Sequence, residues 1–339
     1  MIYREMPATW DPQFRPRFYA RWGRENAIIS ARTRSIEYPD YTQLLSIKAA
    51  SNGVEEYFVD GRRIAVDDDT FLILNGGRTY GSRVRALHAV HSFAIFFRPG
   101  LLDDVLRAIT EPVAHLLEEP ACATPRSIEF AERLHPHDAS ISPVLRHIHR
   151  HVTSGHSDEL WVEEQLNFLL QRMLRLHYRE AAAEAAIPSA RAATRKELYR
   201  RLGLGLTFMH SHYREPIDLD AIAAAARMSR FHFLRTFKAV RGVTPSVYLN
   251  AKRTRVAARL LATTSMSVTA VADAVGFGAR TTLFRHLKAA GLGERVGRRA
   301  PGGPPLRAAR GRSGERASHG AHEPERLTDA CQSPAGWFE

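Results

Sequence analysis

The feature that most constrains this chain is a helical phrase that occurs twice in its C-terminal half. The first copy opens at Asp218 and the second at Ser267, residue types whose side chains accept from the free amides of a helix's first turn. Small residues follow, Ala223 and Ala226 in one copy and Ala272 and Ala274 in the other, so that a second helix can cross closely. A tight turn comes next, at Arg227-Met228 and at Gly276-Phe277. Each copy then closes with a second helix, ending in Arg235-Thr236-Phe237-Lys238 or Arg285-His286-Leu287-Lys288. This is the grammar of a helix-turn-helix, written twice.

Helical spacing divides each second helix into two faces. Phe233 and Phe237 are four apart and belong to the core, and Leu283 and Leu287 take the matching places. The other face carries Arg230, Phe231, Leu234, Arg235 and Lys238 in the first copy, and Arg280, Thr281, Phe284, Arg285 and Lys288 in the second. Arginine can grip a guanine edge with two hydrogen bonds, an apolar side chain can touch a thymine methyl, and lysine grips phosphate. The competing readings are packing for Leu234 and Phe284 and surface ion pairs for Arg235 and Arg285.

Charge supports a polyanionic partner. The chain carries a formal net charge of +12, and residues 191–288 alone hold 18 Lys/Arg against 5 Asp/Glu. Between the copies, a helix from Pro245 to about Ala262 spans about 26 Å, a length that suits two readers in successive major grooves about 34 Å apart. Arg253, Arg255 and Arg259 on this helix read either as phosphate contacts or as solvated charge.

The C-terminal part resembles the AraC/XylS family of regulators. The marks are Leu219-x-x-Ile222-Ala223, Met228-Ser229, Phe237-Lys238, Gly242-Val243-Thr244-Pro245-x-x-Tyr248-Leu249, Arg253-x-x-x-Ala257-x-x-Leu260-Leu261, Val271-Ala272-x-x-Val275-Gly276-Phe277 and Phe284-Arg285-x-x-Lys288. They cover about ninety residues. The resemblance implies a bacterial, sequence-specific DNA-binding regulator, usually an activator, with double-stranded DNA and RNA polymerase as partners. It also implies a cupin-like N-terminal domain that binds a small-molecule effector, with neighbouring helices that form a homodimer. The sparse cysteines, Cys122 and Cys331, suit a reducing cytoplasm. One departure is plain: the family's Ser/Thr-Pro step and aromatic after the second unit are missing beyond Ala290. A shift of reading frame near Ala290 would explain the change in texture, and a natural basic tail is the alternative.

The front half reads as strands. Tyr41–Ile47, Glu55–Val59, Arg62–Val66, Thr70–Leu74 and His91–Phe97 are apolar-rich runs separated by turn signals such as Asp60-Gly61. Residues 1 to about 35 read as irregular. Helices are expected from Leu101, over Ile141–Val152 and over Asp158–Arg179, the last either dimerising or packing on its own barrel. The fold class is therefore α+β, an N-terminal cupin-like β-barrel or sandwich with flanking helices and an all-α C-terminal domain. Its divisions are 1–180 for sensing and dimerisation, 181–194 as linker, 195–290 for DNA binding, and 291–339 as a disordered tail.

Other classes fit less well. No run of about 18 apolar residues suggests a membrane span. Cys122 and Cys331 stand alone, with neither metal spacing nor a disulfide framework. A cupin-type metal-dependent enzyme would need clustered ligands, and only His88 and His91 lie near strands. His147, His149 and His151 suggest a metal cluster, with His147 and His151 on one helical face, but basic helices often carry histidines without a metal. No catalytic residue, metal site or cofactor is therefore assigned. A non-DNA interaction module would explain the helices but not the doubled motif.

Overall fold

The computed structural model describes residues 1–112, 128–155, 158–187 and 191–292. Cys122, Cys331, the centre of the expected linker and the expected tail beyond residue 292 lie outside them. By contact, the described residues form two compact units. The first comprises Met1–Ser211 and Leu219–Val243, and the second comprises His212–Asp218 and the residues from Thr244 onward.

The first unit is built around one long strand. Its strands are β1 (Ile2–Tyr3), β2 (Ala27–Thr42), β3 (Ser46–Ser51), β4 (Glu55–Val59), β5 (Arg62–Val66), β6 (Thr70–Leu74), β7 (Thr79–Phe96) and β8 (Leu134–Pro136). Strand β7 pairs antiparallel with β2 along most of its length. Its second edge is shared, with β4 on Tyr80–Arg83 and β3 on His91–Phe96. The sheet then continues from β3 to β6 and β8.

Alternation along the strands serves two cores. Phe71 and Ile73 of β6 enter one apolar cluster, and Leu72 and Leu74 enter another. A strand buried on both faces must be apolar throughout, which is why Thr70–Leu74 reads as a continuous run. Helices α2 (Leu101–Thr110), α3 (Ser142–Thr153) and α4 (Glu159–Ala185) cover the first cluster. Val162, Leu166, Leu169, Leu170, Met173 and Leu174 of α4 are buried there, so the apolar stripe of this helix packs within its own unit.

Two expectations about the front need correction. Residues before 35 are not all irregular. Helix α1 (Phe14–Arg21) stacks Phe18 on Trp22 at 4.6 Å, and β2 begins at Ala27, where Ala27, Ile28 and Ile29 are buried against β7. The run Tyr41–Ile47 is two strand ends joined by a turn. Gln43 exchanges backbone bonds with Arg78 and Gly77 there, which breaks the extended chain between Thr42 and Ser46.

Helix α5 (Ala192–Ser211) closes the unit. Its Thr207 Oγ1 accepts from the Leu134 amide at 3.3 Å, and its Ser211 Oγ accepts from the Ala65 amide at 3.2 Å. Arg133 pairs with Glu180 of α4 and lies 5.8 Å from the ring of Tyr199 of α5. Helices α6 (Leu219–Ala225) and α7 (Arg230–Arg241) pack on α5. The second unit holds α8 (Pro245–Thr263), α9 (Val268–Ala274) and α10 (Arg280–Ala289), with Val271, Leu283 and Leu287 fully buried.

Candidate nucleic-acid interface

Both helix-turn-helix turns are built by the same hydrogen bonds. In the first, the Met228 amide donates to the Ala223 carbonyl at 2.9 Å and the Arg227 amide to the Ala224 carbonyl at 2.9 Å. In the second, the Phe277 amide donates to Ala272 at 2.9 Å and the Gly276 amide to Asp273 at 3.1 Å. Each set is a Schellman closure, whose key residue must be left-handed. Gly276 meets that demand at φ 81°, and Arg227 meets it at φ 53° with a side chain that disfavours it.

Close approach explains the small residues. A Cβ on Gly205 of α5 would lie 2.6 Å from the Phe233 ring and 3.4 Å from Ala226, so Gly205 lets α7 seat its aromatic core against α5. A Cβ on Gly276 would lie 2.7 Å from the Arg214 carbonyl and 2.8 Å from that of Tyr213. Ser267 caps α9 by accepting from the Ala270 amide at 3.1 Å. Thr244 caps α8 from the Val247 amide at 3.4 Å, and Pro245 opens that helix without losing a needed donor.

The expected division of faces holds. Phe233 and Phe237 are completely buried with ring centres 5.5 Å apart, and Leu283 and Leu287 are also completely buried. Arg230, Phe231, Arg235 and Lys238 are exposed and Leu234 is half-buried. Arg280, Thr281, Arg285 and Lys288 are exposed, and Phe284 is half-buried. Phe231 is 82% exposed, more than a side chain kept for packing would be.

Charge on these faces is mostly uncommitted. Arg235, Lys238, Arg285 and Lys288 form no ion pair among the described residues. Arg230 pairs with Asp220 at 3.2 Å, an exposed contact that phosphate can readily displace. The Arg280 guanidinium lies 5.2 Å from the centre of the Phe284 ring. His286 stacks on Phe277 at 4.9 Å, and burial, then the neighbouring Arg285, lowers its pKa.

Arg253 does something the sequence reading missed. It is neither a phosphate contact nor solvated charge, being 8% exposed. Its Nε donates to the Tyr213 carbonyl at 2.7 Å and a terminal nitrogen to the Glu215 carbonyl at 2.7 Å. It therefore pins segment 213–215, the same backbone that Gly276 abuts. Helical phase alone could not have shown this, because the acceptors lie forty residues away.

The histidines of α3 go to separate partners. His149 turns inward, 3.2 Å from His91 between their Nε2 atoms, whereas His151 stacks on Trp161 at 3.6 Å. His147 lies 5.2 Å from the same indole.

Residues 222–290 match the model of a family described as a helix-turn-helix domain. Among relatives, the HTH-type transcriptional activator RhaS of Escherichia coli is 36% identical over 25% of this chain and 32% of its own length. The MmsAB operon regulatory protein of Pseudomonas aeruginosa is 33% identical over 21% of this chain and 23% of its own. The matches thus span about a third or less of these relatives. Among solved structures, the DNA-binding domain of AdpA in complex with a target DNA is 32% identical, covering 29% of this chain and 96% of that one at a TM-score of 0.26. ToxT of Vibrio cholerae is 10% identical, covering 78% and 94% at a TM-score of 0.31. Over residues 222–290, this chain carries a helix-turn-helix domain of the AraC/XylS type.

Proposed function

We propose that this protein is a sequence-specific DNA-binding transcription regulator, an activator that responds to a small molecule. The observation that carries the reading is the doubled face. Two similarly closed turns each present uncommitted cations beside apolar side chains, over a fully buried pair of core residues. In each copy the second helix enters a major groove. Arg235 and Arg285 read base edges, Leu234, Phe231 and Phe284 touch thymine methyls, and Lys238 and Lys288 hold phosphate. Arg230, Arg280 and Thr281 complete the contact on the first turn of each helix.

Residues 195–290 form the DNA-binding part in this reading, and residues 1–180 a cupin-like sensing domain, with the segment 181–194 between them. The protein recruits RNA polymerase and pairs as a homodimer, and it catalyses no reaction. Relatives that match the C-terminal part are transcriptional regulators, which supports the DNA-binding assignment.

Selection of duplexes from a random pool by the full chain tests the proposal. The expected result is an enriched sequence whose affinity falls steeply with salt. Failure to enrich any sequence, or binding that salt does not weaken, would contradict it.

A further inference from the structure

A largely buried carboxylate ties the strand-rich part of the first unit to the helices of its first helix-turn-helix. Glu180 stands near the end of α4 and is the last residue of the part read as sensing. It pairs with Arg133, the residue before β8, and His135 Nδ1 of β8 lies 3.5 Å from the same oxygen. A terminal nitrogen of Arg133 also donates to the Tyr199 hydroxyl of α5 at 3.4 Å. Helix α5 passes close by at this point, since a Cβ on Gly203 would lie 2.9 Å from Cδ of Arg133.

The network reaches the first recognition helix. Arg133 and Tyr199 share a narrow crevice with Phe237, Val240 and Arg241 of α7. Arg241 lies in the last turn of that helix, and its charge acts on Glu180, His135 and Tyr199 alike. Burial opposes ionisation of Glu180, yet Arg133 above all, with Arg241 adding, outweighs it and holds the carboxyl below its usual range. All of these residues belong to one compact unit. The second copy lacks the tether: Gly291 occupies the place that Arg241 holds in the first.

We infer that Glu180 is a positioning residue for the first recognition helix, fixing α7 on the strand-rich unit through Arg133 and Arg241. The inference rests on the proposed function, in which α7 and α10 each read bases. Phe233, seated against Gly205, fixes α7 at one point, and Arg241 fixes it eight residues further on, about 12 Å along the axis. Two points so far apart set the tilt of a helix as well as its place. Tilt matters because a contact constellation tolerates only about 10–20° of misorientation. Base preference at the first reader therefore depends on a residue that lies outside the DNA-binding part.

The test compares duplex selection by the full chain with selection by Glu180→Gln, by Arg241→Gln and by Glu180→Gln combined with Arg133→Met. Base positions are first assigned to each reader from Arg235→Ala and Arg285→Ala. Selectivity is the readout, because loss of a negative charge alone strengthens attraction to any phosphate backbone. Glu180→Gln and Arg241→Gln should each lower discrimination by about fivefold or more at the positions assigned to Arg235, and leave those assigned to Arg285 unchanged. The combined variant removes both buried charges, so thermal stability should recover while the relaxed selectivity persists. Unchanged selectivity in Glu180→Gln, equal relaxation at both sets of positions, or selectivity restored in the combined variant would each overturn the inference. Should Glu180→Gln not fold, Arg241→Gln decides alone. An unaltered chain that enriches no sequence removes the regulator reading and this inference with it, whereas a selective chain indifferent to Glu180 removes the inference alone.

Discussion

At the scale of residues, the two turns ask the same backbone question and receive different answers. Gly276 adopts the left-handed conformation freely, and Arg227 adopts it at a cost. Arg227→Gly should therefore raise stability by about 1 kcal/mol, read from the denaturant midpoint, and an unchanged or lowered midpoint would contradict the assignment of strain. Arg253 supplies the complementary test. As a clamp on the 213–215 carbonyls, its replacement by Met should cost about 1–3 kcal/mol of stability. The salt slope of duplex binding should stay as in the unaltered chain, whereas a phosphate contact would lower the slope by about one.

At the scale of elements, what the sequence revealed follows from how local the determinants are. The core faces of α7 and α10, the strands 55–59, 62–66 and 70–74, and the capped starts of α8 and α9 depend on spacing and on neighbours within a turn or two. Strand β2 was hidden because its run Ala27-Ile28-Ile29 follows a segment broken by Pro7, Pro12 and Pro16, and its pairing partner lies more than fifty residues on. The burial of Lys48 on β3 was hidden for a related reason. A lysine inside a strand is ordinarily solvated at an edge, and only the packing of α1 and β4 around it makes it internal. Helix α5 shows the limit most clearly. Its sequence places it with the DNA-binding part, yet its hydroxyls bond β5 and the Leu134 amide, so the compact units cut the chain elsewhere than at 181–194. Gly205→Ala should drive the Phe233 ring from its seat and cost about 1–3 kcal/mol, measured by thermal or denaturant unfolding. Unchanged stability would show that α7 does not depend on this close approach.

At the scale of the whole molecule, pH and charge act on different parts. Burial first, then Arg32, holds His91 down to about 4, and burial, then His91 and Arg32, holds His149 down to about 3. The unfolded chain protonates both near 6.5, so below that pH it binds protons that the fold refuses. Their contribution to stability is complete above about 6.5 and falls as pH drops toward 4. A His149→Gln variant should lose less stability than the unaltered chain between neutral pH and about pH 5, followed by thermal unfolding. An equal loss in both would show that this pair does not control the acid response. In the proposed function the C-terminal half meets DNA through cations instead, and salt is the variable that tests it.

The central claim is that both second helices touch DNA bases. The most direct measurement is the affinity of the full chain for its selected duplex, with Arg235→Ala, Arg285→Ala and the unaltered protein compared at one salt concentration. Each variant should lose about 1–3 kcal/mol of binding and relax selectivity at its own position in the sequence. Retention of full affinity and selectivity by both variants would contradict the account.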